Sequence, residues 1–272
     1  NEWLSRATID KAIEKLSAIT VFIGYPDKLP EIYSRFKVGN GSLYEDACHF
    51  DELLTARHYE KFSEEVDKSL WHMPAHMVNA YYSPDSNTIV FPAAILQAPF
   101  YSLEQSSSQN YGGIGAVIAH EISHAFDNNG AQFDKYGNLN KWWTDKDYEA
   151  FEKKQEEMIA AFDSVATEAG PANGKLIVSE NIADQGGITA AMTAAQKEED
   201  VNLTDFFSQW GKIWRMKASM EFQQMLLSMD VHAPAKLRAN IPPTNLEEFY
   251  QTFDVQESDG MYRAPDQRVK IW

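Results

Sequence analysis

His120-Glu121-Ile122-Ser123-His124 follows an apolar, small-residue run, Gly112-Gly113-Ile114-Gly115-Ala116-Val117-Ile118-Ala119. This pairing constrains the chain more than any other stretch. The run reads as a helix with Ile114, Val117 and Ile118 on an apolar face, and its glycines allow another backbone to come close. Residues four apart on a helix share a face, so His120 and His124 can aim their imidazoles at one point. A polar His-Glu-His cluster in so apolar a helix needs partners, and a metal ion supplies them. Glu121, beside the first histidine, can reach a water on the open side of such an ion. Two ligands plus a general base form the pattern of zinc hydrolases. The blander reading is a buried helix whose histidines bond locally, and the glycine-rich approach argues against it.

Composition bounds the rest. With 272 residues and 44% hydrophobic content, the chain can bury a substantial core as one large domain or two lobes. Seven Trp, 15 Phe and 12 Tyr argue against disorder. A net charge of −16 argues against binding nucleic acid or an anionic membrane. No apolar run is long enough to span a bilayer, and no secretory signal peptide is expected. Cys48 is the single cysteine, so no internal disulfide is possible, as in a reducing compartment. Its neighbours carry no nucleophile signature, and an incidental thiol is the simpler reading. The chain starts at Asn1 in helix-like sequence and is expected to be a piece of something longer.

Periodicity predicts helices over 3–19, 43–70, 112–126, 144–165, 180–196, 203–228 and 245–252. Val78–Tyr82 and Thr88–Phe91 are β-prone and flank the turn cluster Ser83-Pro84-Asp85-Ser86-Asn87, which predicts a hairpin. The expected class is α+β, mainly α, with a small antiparallel sheet near the metal helix. Three stretches of one domain are expected: a helical lead-in over 1–75, the hairpin and metal helix over 76–143, and a helical lobe over 144–272.

Catalytic zinc usually takes three protein ligands and leaves a fourth position open. No third histidine follows His124 at short spacing, so a carboxylate is the natural alternative. Glu180 and Asp184 are four apart in Ser179-Glu180-Asn181-Ile182-Ala183-Asp184. One can bind the ion while the other fixes a ligand histidine, or both can simply sit near a helix start. Amide hydrolysis also needs an oxyanion donor. His232 is a candidate, with Asp230 able to orient or charge it. Asn79-Ala80, on an edge strand, can hydrogen-bond a peptide laid alongside.

Together these residues resemble the neprilysin and endothelin-converting-enzyme family of zinc metallopeptidases, gluzincins with a thermolysin-like catalytic core. The resemblance covers essentially the whole chain. It runs through Asn79-Ala80-Tyr81-Tyr82, Ile89–Gln97, Gly112–Gly130, Glu180–Asp184, Val231-His232-Ala233-Pro234, Arg238 and Trp272. It implies one zinc ion per chain held by His120, His124 and Glu180, with Glu121 as general base. It implies that Asp184 orients a ligand histidine and that His232 stabilises the oxyanion. Asn79 and Ala80 would hold the substrate backbone, and Arg238 a substrate carbonyl. Ile95, Phe100, Ala116, Val117, Ile213 and Trp214 would line an apolar pocket. The implied activity is endopeptidase cleavage of oligopeptides before bulky apolar residues. The rival is a zinc-containing peptide-binding module, or an impaired fragment, without turnover. Family members are more than twice this length, and their upstream half helps build a cap over the site. The chain therefore corresponds to the catalytic C-terminal portion, with the cap region as its missing partner. One cysteine, against the several disulfides of membrane-anchored animal members, implies a bacterial, cytoplasmic setting.

Overall fold

The computed structural model describes residues 2–39 and 41–272. Ser5 caps α1 (Arg6–Ser17) by accepting from the Thr8 backbone N–H. The chain turns at once into β1 (Thr20–Gly24), whose Thr-Val-Phe-Ile content suits a strand. After the short α2 (Ile32–Arg35), a Ser42/Glu45 capping box starts α3 (Leu43–Glu60). α3 stops at Glu60, short of the expected 70, and buries none of its residues. Leu43, Tyr44, Leu54 and Tyr59 are among its exposed side chains.

β2 (Tyr81–Ser83) and β3 (Thr88–Pro92) form the expected hairpin, with Tyr81 opposite Val90 and Ser83 opposite Thr88. Its turn places Asn87 at a positive φ of 53°, a conformation asparagine tolerates. The sheet order is β1-β3-β2. β1 runs parallel to β3, from Thr20 opposite Thr88 to Gly24 opposite Pro92. The sheet is thus mixed, where a purely antiparallel one was expected. β3 is buried along its length, so both of its edges need hydrogen-bond partners, and β1 supplies the second.

The metal-helix region is α4 (Ser107–Asn110), a π-helical turn (Tyr111–Gly115) and α5 (Ala116–Ser123), in place of one helix over 112–126. A Cβ on Gly112 would sit 2.1 Å from the Phe206 carbonyl, so only glycine permits that approach. α6 (Asp145–Phe162) and a two-residue ribbon, β4 (Ala166–Thr167) with β5 (Gly170–Pro171), lead into α7 (Val178–Ala195). The expected helix over 203–228 is two, α8 (Leu203–Ile213) and α9 (Met220–Met229), because Ser219 caps a new start. α10 (Ala235–Asn240), not foreseen, and α11 (Glu247–Phe253) follow.

α7 is the spine. Ile188, Ala191 and Met192 belong to a core shared with the sheet, α5, α8 and α11. Val178 and Ile182 belong to a second core with Trp142, Trp143, Phe151 and Ile271. Gly187 lets α7 lie against α5, since a Cβ there would be 2.8 Å from the Ala116 carbonyl and 2.9 Å from the His120 nitrogen. Among the described residues, no helix is long and apolar enough to cross a membrane.

Candidate metal centre and cleft

α5 carries His120 and Glu121, and His124 caps its C-terminus. Glu180 stands in the first turn of α7 and Asp184 one turn later. Packing of α5 on α7 brings the two motifs together. His120 Nε2 and His124 Nε2 are 3.0 Å apart. Glu180 Oε2 lies 3.4 Å from the first and 3.5 Å from the second. The ligand atoms of all three residues fall within 4.8 Å of one another. Glu180 Oε2 is buried and accepts no aligned hydrogen bond, and such an atom is expensive unless something else satisfies it. A cation between these donors would do so, and two imidazoles with one carboxylate form a known catalytic zinc set. The residues therefore fit the ion.

Charge around the cluster is arranged for a cation. Burial opposes a charge on His124, yet Asp127 and Glu180 hold its pKa well above the usual range. Burial and His124 oppose a charge on His120, while Asp184 and Glu180 raise its pKa overall. Burial would raise the Glu180 carboxyl, but both histidines hold it well below the usual range. A divalent ion bound at this point displaces those protons. Glu121 is 5% exposed, and burial pushes its carboxyl up despite the neighbouring histidines.

Carboxylates back both histidines. Asp184 Oδ1 is 2.8 Å from His120 Nδ1, close but poorly aligned, so that nitrogen has no good hydrogen bond. Asp127 Oδ2 is 2.7 Å from His124 Nδ1 and accepts the Ser179 hydroxyl. Asp127 was not foreseen, although an acid three residues after His124 lies one helical turn on. Arg238 is anchored on Asp184. Its Nε and Nη2 donate to Asp184 at 2.7 Å each, and its guanidinium stacks on Trp214 at 3.7 Å. Its Nη1 makes no hydrogen bond among the described residues.

A cleft of about 420 Å³ opens onto the cluster. Asn79, Ala80, Ile95, Phe100, Ala116, Val117, Trp214, His232 and Arg238 line it, with Glu121 and the three metal-ligand candidates. Ile213 does not line it. It faces inward from α8 and packs in the core beside Phe206 and Trp210, while Trp210, on the same helix, reaches the cleft. His232 Nδ1 is 2.7 Å from Asp230 Oδ1, and its Nε2 is 3.2 Å from Glu180 Oε2.

Residues 79–269 match Peptidase family M13. A neutral endopeptidase of Lactococcus lactis subsp. lactis is 84% identical over 272 residues, all of this chain and 43% of that protein. The crystal structure of PepO from Lactobacillus rhamnosis superposes with a TM-score of 0.95 at 44% identity, over 99% of this chain and 43% of that one. The zinc metalloprotease Zmp1 of Mycobacterium tuberculosis, solved with an inhibitor, gives 0.95 at 36% identity, over 100% of this chain and 44% of that one. The chain thus spans less than half the length of these relatives. A motif match over most of its residues, and close identity along all of them, establish that the chain belongs to peptidase family M13.

Proposed function

We propose that this chain is the catalytic portion of a zinc endopeptidase that hydrolyses oligopeptides, cutting before bulky apolar residues. The observation that carries the reading is a buried Glu121 opening on the same cleft as a two-histidine, one-carboxylate cluster. When bound, one zinc ion supplies Lewis-acid polarisation of water and of the scissile carbonyl. His120, His124 and Glu180 would hold it. Glu121 takes a proton from the attacking water and delivers it to the leaving amine. The His232 ring donates Nδ1–H to Asp230 and Nε2–H to the oxyanion.

An extended peptide lies beside Asn79-Ala80, which continue into the edge strand β2. Arg238 Nη1 reaches a substrate carbonyl while its other nitrogens grip Asp184. Phe100, Val117 and Trp214 receive the apolar side chain after the cut. The upstream part of the parent protein encloses the cleft, and without it the size limit on substrates relaxes. A bacterial cytoplasmic setting fits the single Cys48, and cell fractionation tests it.

The test of function is to digest a peptide mixture with the intact protein and map cut sites by mass spectrometry. Cuts before Leu, Ile and Phe are expected, and none with Glu121→Gln, which should still hold zinc. Full zinc occupancy with no cleavage would mean a binding module instead.

A further inference from the structure

Lys15 is 1% exposed, although it sits on α1, far from the metal helix in sequence. Its Nζ donates to the carbonyls of Ala125, Gly130 and Phe133 at 2.7 Å each. All three protons of the ammonium are thereby used. The rings of Trp142, Phe126 and Tyr82 surround it at 5.5, 5.8 and 5.9 Å. Burial pushes this lysine down to about 8, with Asp127 and Asp134 holding it partly up. An apolar side chain would fill the space more cheaply, so the charge has a use beyond packing.

That use lies in what the three carbonyls belong to. Ala125 directly follows His124, at the negative end of α5, where a cation is favourable. Gly130 and Phe133 close the loop that returns from it. The loop folds so tightly that a Cβ on Gly130 would be 1.8 Å from the His124 carbonyl. Inside it, the backbone N–H groups of Asn129 and Gly130 donate to Asp127 Oδ1 at 2.7 Å each. Asp127 Oδ2 faces His124 Nδ1 and takes the hydroxyl of Ser179, the neighbour of Glu180. The pose of Asp127 depends on the loop, and the loop is drawn together around one ammonium.

We propose that Lys15 is a positioning residue for the metal centre, acting through the 125–133 loop and Asp127 on the orientation of His124. The inference rests on the zinc reading above. The alternative is that Lys15 merely fastens α1 to the body of the fold. α1 offers an internal control, because Thr8 fastens its other end through Asp147 without touching the loop.

The experiment compares Lys15→Met, Lys15→Gln and Thr8→Val in the intact protein. It measures zinc affinity by chelator competition, the visible absorption of the cobalt-substituted site, and thermal stability. Lys15→Met should weaken zinc binding about 10–100-fold, the range for groups that orient metal ligands, and should shift the cobalt bands. Lys15→Gln, a milder change should the first variant not fold, should give a smaller loss in the same direction. Thr8→Val should lower stability and leave zinc affinity and spectrum alone. In an Asp127→Asn background, Lys15→Met should cost little further affinity, because both act on one path. Zinc affinity within twofold of wild type in both Lys15 variants, or full additivity with Asp127→Asn, would overturn the proposal. A wild-type protein that binds no zinc would instead overturn the reading on which it rests.

Discussion

Arg238→Met is expected to damage the metal centre and the fold together, and not only the grip on substrate. Arg238 makes two 2.7 Å hydrogen bonds to Asp184. Asp184 is 1% exposed and stands 2.8 Å from His120 Nδ1. Burial alone would raise the Asp184 carboxyl, but Arg238 and His120 hold it down to about 2, from an ordinary 3.8. That depression is worth about 2 kcal/mol at neutral pH. The folded pKa is the lower one, so this stability is complete above pH ~4 and is lost as pH falls toward 2. Truncating the arginine removes its share of this and leaves the buried carboxylate with His120 alone beside it. Breaking such a pair costs about 3–5 kcal/mol. Methionine keeps the packing of the stem and loses the stacking on Trp214. For a chain of this size the cost corresponds to a fall in Tm of roughly 6–20 °C. His120 also loses its anchored partner, so zinc affinity should fall about 10–100-fold. Lysine would be a poor replacement, since it cannot form the two-pronged contact. The assays are thermal denaturation with and without zinc, chelator competition, and peptide kinetics. If Arg238→Met kept wild-type Tm and zinc affinity and only raised KM, Arg238 would be a substrate ligand alone and the coupling through Asp184 would be wrong.

Four further outcomes are expected. Glu121→Gln should retain zinc by metal analysis while losing several orders of magnitude in kcat, since base and proton carrier vanish together; near-normal turnover would refute the role. Glu180→Ala or His120→Ala should lose zinc itself, and full occupancy in both would remove them as ligands. His232→Ala should lower kcat about 10²–10³-fold with little change in KM, as for other oxyanion donors; a rise in KM alone would make it a ground-state contact. Asp147 is held down to about 2, from 3.8, because hydrogen bonds from Ser5, Thr8 and Thr144 outweigh burial. Its stability, about 2 kcal/mol, is present above pH ~4 and lost toward pH 2. Urea titrations of Asp147→Asn should therefore show lower stability than wild type at neutral pH and a gap that closes in acid; a gap independent of pH would count against the assignment.

The local part of the site was legible because its geometry is local. A helix fixes which residues share a face, so the spacings of His120 to His124 and of Glu180 to Asp184 pointed to two candidate half-sites. The glycines of the metal helix were legible as a need for close approach, and the structure identifies the Phe206 carbonyl at Gly112. The β2–β3 hairpin followed from its turn chemistry in the same way. What sequence spacing leaves open is which distant groups meet. β1 follows the expected 3–19 helix and was not foreseen, and its parallel pairing with β3 is non-local. Whether Ile213 or Trp210 reaches the cleft depends on the rotation of α8 against its core, which its own pattern does not state. The contact of Arg238 with Asp184 carries no signal in the sequence, because it arises only when the fold brings α10 to α7. Nothing in the sequence singles out Lys15 for burial, because an isolated lysine favours water. Only the fold supplies three carbonyls at the end of the metal helix that make its burial worthwhile. The sequence by itself thus determined the donor types and their spacing along each helix. The tertiary structure decided their convergence and their supporting contacts, since these depend on packing between segments far apart in the chain.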